Sequence, residues 1–157
     1  MSQTTETPVR QSITVEAPIE RAFTFFTDHL DSWWPRDYKI GATDMKTAVL
    51  EGKEGGRWYE QDVDGSECDW GRVLAWEPPT RLVLSWQIST SWQYEPELAR
   101  SSEVEVRFTA ESPTRTRVDL EHRGIDRHGP GSDQMRSAVA GEGGWPRVLA
   151  QFAEALA

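Results

Sequence analysis

The chain has 157 residues, of which 37% are hydrophobic and 27% charged, and this composition is typical of one compact globular domain. Its formal net charge of −9 argues against nucleic acid and against an anionic membrane surface as partners, because no basic stripe is present to neutralise phosphates. Cys68 is the single cysteine, which excludes an internal disulfide and a zinc site built from several cysteines.

The start of the chain is polar, and no later run approaches the ~18 consecutive apolar residues of a membrane span. We predict a flexible tail over residues 1–8 and a single domain over residues 9–157. Without a signal peptide, a cytoplasmic location is favoured. Both a monomer and a homodimer remain open.

The first part of the domain predicts a strand followed by a helix. Residues 9–16 alternate in polarity, as a strand does, and Pro18 then suits the start of a helix. That helix has one apolar face, formed by Ile19, Ala22, Phe23, Phe26 and Leu30. Residues 31–35 add a helical turn that a proline ends, and residues 36–45 carry no strong pattern.

Beyond Thr47 the apolar pattern changes to a period of two. It predicts strands near residues 46–51, 56–63, 68–76, 81–90, 101–111 and 115–123. Asp64-Gly65 is the strongest hairpin signal among the intervening turns. Because the last two strands have one apolar and one polar face, the pattern favours an antiparallel sheet.

The last fifteen residues predict the helix around which the domain is organised. A short helix beginning at Ser132 precedes it, and the glycine-rich segment 141–144 separates the two. The final helix has an apolar stripe made of Trp145, Val148, Leu149, Phe152 and Leu156. Strands that follow one another without alternating helices favour an α+β fold over a doubly wound parallel sheet.

Several short motifs occur in the order found in one superfamily. They are Val15-x-Ala17-Pro18, Trp33-Trp34-Pro35, Gly55-Gly56-Arg57-Trp58, Gly71-Arg72-Val73-Leu74, Trp76-Glu77-Pro78-Pro79 and Gly144-Trp145-Pro146. In this order the chain resembles the SRPBCC or START-like superfamily, and more narrowly the bacterial single-domain homologues of the Hsp-90 ATPase activator C-terminal domain. The resemblance implies a helix-grip fold, in which a curved antiparallel sheet of about seven strands wraps around a long C-terminal helix, with two short helices near the N-terminus.

The resemblance also implies a cavity between the sheet and the final helix. If the chain has such a cavity, as the resemblance implies, we expect its wall to include Trp33, Trp34, Trp58, Trp86, Val106, Phe108, Leu120, His122, Trp145, Leu149 and Phe152. For Trp33 and Trp34, packing in the core is the alternative to ligand contact. Trp86 and Trp145 are the strongest candidates, although their rings can also fill the space themselves.

Two residues are weak candidates for catalysis. Glu60 has the same strand parity as Trp58, so it points inward if Trp58 does; the competing register places Tyr59 inside. His122 has the parity of Val118 and Leu120, and it either orients a ligand or is a buried histidine satisfied by a backbone carbonyl.

Other chemistry has little support in the sequence. The three histidines lack metal-ligand spacing, and no cofactor-binding fingerprint is present, so we expect neither metal nor cofactor. Cys68 lies between Glu67 and Asp69, whose charges should raise the pKa of its thiol and make it a poor nucleophile.

Three functions therefore compete. The first is binding of a small hydrophobic or aromatic molecule in the cavity. The second is a protein-interaction module, such as a chaperone modulator or a stress-response protein, which requires an exposed apolar patch. The third is a cyclase- or hydrolase-type enzyme that uses a water-excluded His or Glu facing the cavity.

Overall fold

The computed structural model describes residues 8–156, so most of the tail predicted over residues 1–8 lies outside the described residues. Within residues 8–156 there are seven strands: β1 (Val9–Val15), β2 (Met45–Leu50), β3 (Arg57–Asp62), β4 (Glu67–Glu77), β5 (Arg81–Trp86), β6 (Ser102–Ser112) and β7 (Arg115–Arg123). The helices are α1 (Ile19–Asp28), α2 (Leu30–Trp33), α3 (Ser132–Ala140) and α4 (Trp145–Leu156), with 3-10 turns at Leu98–Arg100 and Ile125–His128.

The strands form one curled antiparallel sheet in the order β1-β7-β6-β5-β4-β3-β2. Helix α4 lies against the concave face of this sheet, and α1 and α2 span the connection between β1 and β2. This confirms the α+β helix-grip fold expected from the sequence.

Alternating side chains place the core on one face of the sheet. In β6, Val104, Val106 and Phe108 are buried on the concave face. On the opposite face, Glu105 accepts hydrogen bonds from Arg81 and Arg123 at 2.6 and 2.5 Å, so the outer surface is covered by ion pairs. These contacts hold the pKa of Glu105 below its ordinary value despite its burial, which acts in the opposite direction.

The five residues of the α4 stripe are all buried against the sheet and α2. Full burial of a large apolar side chain contributes about 1.5–3 kcal/mol, so α4 is held mainly by this stripe. Gln151, outside this stripe, is half-buried and donates to the carbonyl of Trp33 at 2.9 Å. Helix α4 is therefore also tied to α2 by a hydrogen bond.

The middle of the sheet depends on one close backbone approach. A Cβ at Gly71 would lie 1.9 Å from the carbonyl oxygen of Ser85 and 2.5 Å from Nε1 of Trp58, so no larger residue fits there. With glycine at this position, the Trp58 indole donates to the Ser85 carbonyl at 2.9 Å. The strand predicted over 81–90 ends earlier, at Trp86. Residues 87–101 instead form an irregular connection, in which Ile88 and Tyr94 make an isolated β-bridge.

Candidate functional site

A cavity of about 300 Å³ lies between the sheet, the start of α4 and two irregular segments. It is lined by Trp34 and the segment 37–40, by Trp70, Trp86 and Ile88 of the sheet side, by Trp92, and by Ala138, Val139, Gly143, Gly144, Trp145 and Val148 of the α3–α4 region. Six of these side chains are aromatic (Trp34, Tyr38, Trp70, Trp86, Trp92 and Trp145). The wall is therefore predominantly apolar and rich in flat rings.

Three of the wall residues expected from the sequence line this cavity, namely Trp34, Trp86 and Trp145. The others lie outside its lining and are buried in the core: Trp33, Trp58, Val106, Phe108, Leu120, His122, Leu149 and Phe152. Aromatic packing explains this placement, since the Phe152 ring contacts Trp33 and Phe26 edge-to-face at centroid distances of 5.3 and 5.2 Å. Which of these residues contact a ligand stays a prediction.

Several lining residues were not predicted from the sequence. Tyr38, Lys39 and Ile40 belong to a segment with no periodic pattern, and Trp92 lies in the irregular connection after β5. The sequence offers one indication that these segments line a cavity, namely their apolar residues, above all a tryptophan within a polar loop. Trp70, in β4, is also absent from the expected wall, and its ring is almost completely buried.

The rim of the cavity combines an exposed ring with an ion pair. Trp92 is 44% exposed and has a φ of 61°, in the left-handed region that disfavours bulky side chains. Across the rim, both guanidinium NH2 groups of Arg147 contact the Asp37 carboxylate, at 3.0 and 3.1 Å, and they lower its pKa. This pair ties the 37–40 segment to α4.

His122 lies just behind the cavity wall and is fully buried. Its Nδ1 accepts from the Trp145 indole at 3.0 Å, so its proton is on Nε2, which lies 2.7 Å from the hydroxyl of Ser102. That hydroxyl is in turn 2.8 Å from Nε2 of His128. Burial, followed by the neighbouring His128, lowers the pKa of His122 to about 3, so the imidazole is neutral at physiological pH.

The partners of His122 differ from those considered from the sequence. Instead of a backbone carbonyl, the two ring nitrogens have side-chain partners: the indole of Trp145 and the hydroxyl of Ser102. The ring therefore orients Trp145, and because it lies outside the lining it acts on the cavity through that side chain.

Glu60 holds one wall of the cavity in place. The structure buries both Trp58 and Glu60, in agreement with the register that places Trp58 inside. One carboxylate oxygen, Oε1, accepts from the Ile40 amide at 2.5 Å and from the Trp70 indole at 3.0 Å, and Oε2 accepts from the Gly41 amide at 3.2 Å. Since Ile40 and Trp70 line the cavity, Glu60 fixes the position of two of its walls.

Beside Glu60, the carboxylate of Asp62 is buried without a hydrogen-bond donor among the described residues. Burial and the adjacent Glu60 raise its pKa to about 6. Glu60, Asp62 and Cys68 offer one potential metal-ligand atom each within 4.8 Å, so these are the residues that could hold a cation. Burial and then the charges of Glu60 and Asp62 raise the pKa of the Cys68 thiol, which confirms the direction expected from its acidic surroundings.

A curled antiparallel sheet that encloses an aromatic cavity with its C-terminal helix defines a helix-grip protein of the START-like class. The chain belongs to the family of Activator of Hsp90 ATPase homolog 1-like proteins, whose sequence profile matches residues 16–157. This confirms the family resemblance found in the sequence. A comparison with curated proteins found no match.

Solved structures extend this relationship over the whole domain. The chain is 39% identical to a protein described as the anthrahydroquino-gamma-pyrone synthase Txn09 complexed with SUM, with 94% of this chain and 96% of that chain covered and a TM-score of 0.68. It is 32% identical to CalC, a self-sacrificing resistance protein from Micromonospora echinospora, with coverages of 95% and 93% and a TM-score of 0.67. An AHSA1-like protein from Aeromonas hydrophila shares the fold at 21% identity, with coverages of 94% and 91% and a TM-score of 0.56.

Within residues 8–156, every helix is too short or too polar to cross a membrane.

Proposed function

We propose that this protein binds a small hydrophobic or aromatic molecule in the cavity between the sheet and α4. The observation that carries this proposal is the wall of six aromatic side chains around a space of about 300 Å³. That volume is at the lower end of the range typical of small-molecule sites, which are predominantly apolar and carry few polar groups. A flat aromatic molecule matches such a wall in both shape and polarity.

The energetic basis is burial of apolar surface. At about 25 cal/mol per Å², burying about 200 Å² of a ligand contributes some 5 kcal/mol before the cost of association. The cavity wall is already held in place by Glu60 on one side and by His122 behind Trp145, so little ordering accompanies binding. Pre-organisation of this kind raises affinity by lowering that cost.

Catalysis on the bound molecule is the second candidate, and the observation that favours it is the 39% identity to a protein described as a synthase. Three titratable residues line the cavity and could act on a bound molecule: Asp37, Tyr38 and Lys39. The test is to incubate the purified protein with aromatic polyketide-type compounds that bind it and to follow product formation by chromatography. Binding without any new product would contradict the enzymatic candidate and leave the binding function standing.

Binding is tested by following tryptophan fluorescence and thermal unfolding with a panel of polycyclic aromatic compounds. A ligand of the native state should quench the fluorescence saturably and raise the Tm. The matched variants are Ala138→Phe, which adds a ring at the cavity wall, and Ala150→Phe, which adds the same ring on an exposed helical position outside it. We expect the first to weaken binding at least tenfold and the second to leave it unchanged.

Two results would overturn the proposal. The first is that no compound of a broad panel binds a protein that is folded by circular dichroism. The second is that the two alanine variants bind equally well, which would locate the ligand elsewhere. In the first case, capture of a protein partner becomes the next experiment, since Tyr94 and Leu98 are also exposed in the same connection as Trp92.

A further inference from the structure

The indole N–H groups of the buried tryptophans are satisfied with one exception. Five of them donate to a partner within the protein: Trp33 to the carbonyl of Phe25, Trp34 to that of Tyr38, Trp58 to that of Ser85, Trp70 to the carboxylate of Glu60, and Trp145 to His122. Trp86 is the exception. It is 6% exposed, its Nε1 is buried, and that atom has no hydrogen-bond partner among the described residues.

An unpaired buried N–H is costly, so native structures rarely retain one without a reason. Two of the rings that pack against Trp86 have hydrogen-bond partners of their own. Its ring lies 5.0 Å from that of His122, whose two nitrogens are engaged by Trp145 and Ser102. The centroid of the Trp58 ring lies 6.1 Å from that of Trp86, and the Trp58 indole donates to the carbonyl of Ser85. Neither of these rings therefore offers a free acceptor to Trp86.

Trp86 is also one of the tryptophans that line the cavity. The unpaired N–H thus belongs to a side chain that a bound molecule would touch. The other polar side chains of the wall are Asp37, which is paired with Arg147, Lys39, which donates to the carbonyl of Gly41, and Tyr38. In a wall that is mostly apolar, an unpaired donor such as the Trp86 N–H sets the orientation of the ligand and selects among ligands by the atom placed opposite it.

We infer that the Trp86 indole N–H is the specificity-determining donor of the cavity and that the ligand is a planar aromatic ketone or quinone whose carbonyl oxygen accepts from it. This inference rests on the proposed function and narrows its ligand class. A plain aromatic hydrocarbon fills the same space but leaves the N–H unpaired, so it binds more weakly. An ordered water is the competing partner, and it would satisfy the indole without any preference for a carbonyl group.

The test uses two probes of similar shape, anthraquinone-2-sulfonate and anthracene-2-sulfonate, which share the sulfonate and differ in the two carbonyl groups. Their affinities are measured by calorimetry for the wild type, for Trp86→Phe and for Trp92→Phe. The wild type should bind the quinone about tenfold more tightly, as expected for one net hydrogen bond. Trp86→Phe keeps an aromatic ring but lacks the donor and should lose this preference, whereas Trp92→Phe should retain it.

A second readout does not depend on the variants. The indole N–H signals of the protein are observed by proton–nitrogen correlation NMR, and the Trp86 signal is the one missing from Trp86→Phe. The quinone should move this signal downfield, and the anthracene should not.

The outcomes separate the two proposals. Equal affinities for the two probes would overturn the inference that Trp86 is the specificity-determining donor, as would a Trp86 indole signal that does not shift when the quinone binds. Neither result would contradict binding in the cavity. If neither probe binds and the wider aromatic panel also fails, the proposed function fails, and this inference fails with it.

Discussion

At the scale of the residue, His122 makes the stability of the domain depend on pH. Its pKa is lowered to about 3 by burial and then by His128, whereas in the unfolded chain it is near 6.5. Between these values the unfolded state binds the extra proton, so the contribution of His122 to stability is fully present above about pH 6.5 and decreases as the pH falls towards 3. We therefore expect the contribution of His122 to the free energy of unfolding, measured by urea titration as the difference between the wild type and a variant without the imidazole, to fall by a few kcal/mol between about pH 7 and about pH 4. The raised pKa of Asp62 acts in the opposite direction over this range, because there the folded state binds the extra proton.

Carboxylates also titrate in this range, so the control is His122→Gln, which keeps an acceptor and a donor but does not titrate. On acidification from about pH 7 to about pH 4, the free energy of unfolding of this variant should fall less than that of the wild type, or rise where that of the wild type stays level. NMR of the imidazole nitrogens offers a direct check, because the His122 ring should stay neutral at pH values where an exposed histidine is protonated. A titration midpoint near about pH 6 for the His122 imidazole would contradict its burial away from solvent.

At the scale of the element, Glu60 connects strand β3 to the irregular segment between α2 and β2. Glu60→Ala removes the acceptor of the Ile40 and Gly41 amides and of the Trp70 indole. We expect a loss of about 1–3 kcal/mol in stability, which outweighs the relief of repulsion with Asp62, and faster hydrogen exchange at both amides. Ligand affinity should fall as well, because two walls of the cavity lose their anchor.

The matched control for that variant is Glu67→Ala, at the exposed start of β4, where the carboxylate forms an ion pair with Arg57. Surface ion pairs contribute little, so this variant should behave like the wild type within about 1 kcal/mol. Unchanged amide exchange at Ile40 and Gly41 in Glu60→Ala would contradict the anchoring role.

The same residue shows how far sequence reasoning extends. Strand periodicity located β3 and indicated that Glu60 follows Trp58 inward, because alternation is a local property. Its partner Ile40 lies 20 residues earlier, in a segment without any pattern, and only the folded chain brings the two together. Strands and helices were therefore largely predictable, as were Trp34, Trp86 and Trp145 of the cavity lining. The part of the lining that comes from the irregular segments around Tyr38 and Trp92 was not.

At the scale of the whole molecule, helix α4 serves two purposes with different residues. Trp145 and Val148 line the cavity at its first turn, whereas Leu149, Phe152 and Leu156 pack in the core. The same separation between core and cavity residues holds across the fold, since most of the residues expected to line the cavity are buried in the core behind its wall. Stability and binding should therefore respond to different substitutions.

A pair of variants tests this division. Phe152→Ala removes a fully buried ring that contacts Trp33 and Phe26, and it should lower the free energy of unfolding by about 3–5 kcal/mol while the folded fraction still binds ligand. Trp92→Gly removes an exposed rim ring from a left-handed backbone position that glycine adopts freely. Glycine relieves the strained backbone of the folded state but also makes the unfolded chain more flexible, and these two effects on stability oppose each other. The free energy of unfolding should therefore change by less than about 1 kcal/mol. Ligand affinity should nevertheless fall several-fold, because a ring of the cavity wall is lost. If Trp92→Gly instead unfolded the domain, or if Phe152→Ala abolished binding by a protein that remained folded, the core and the cavity would be one energetic unit.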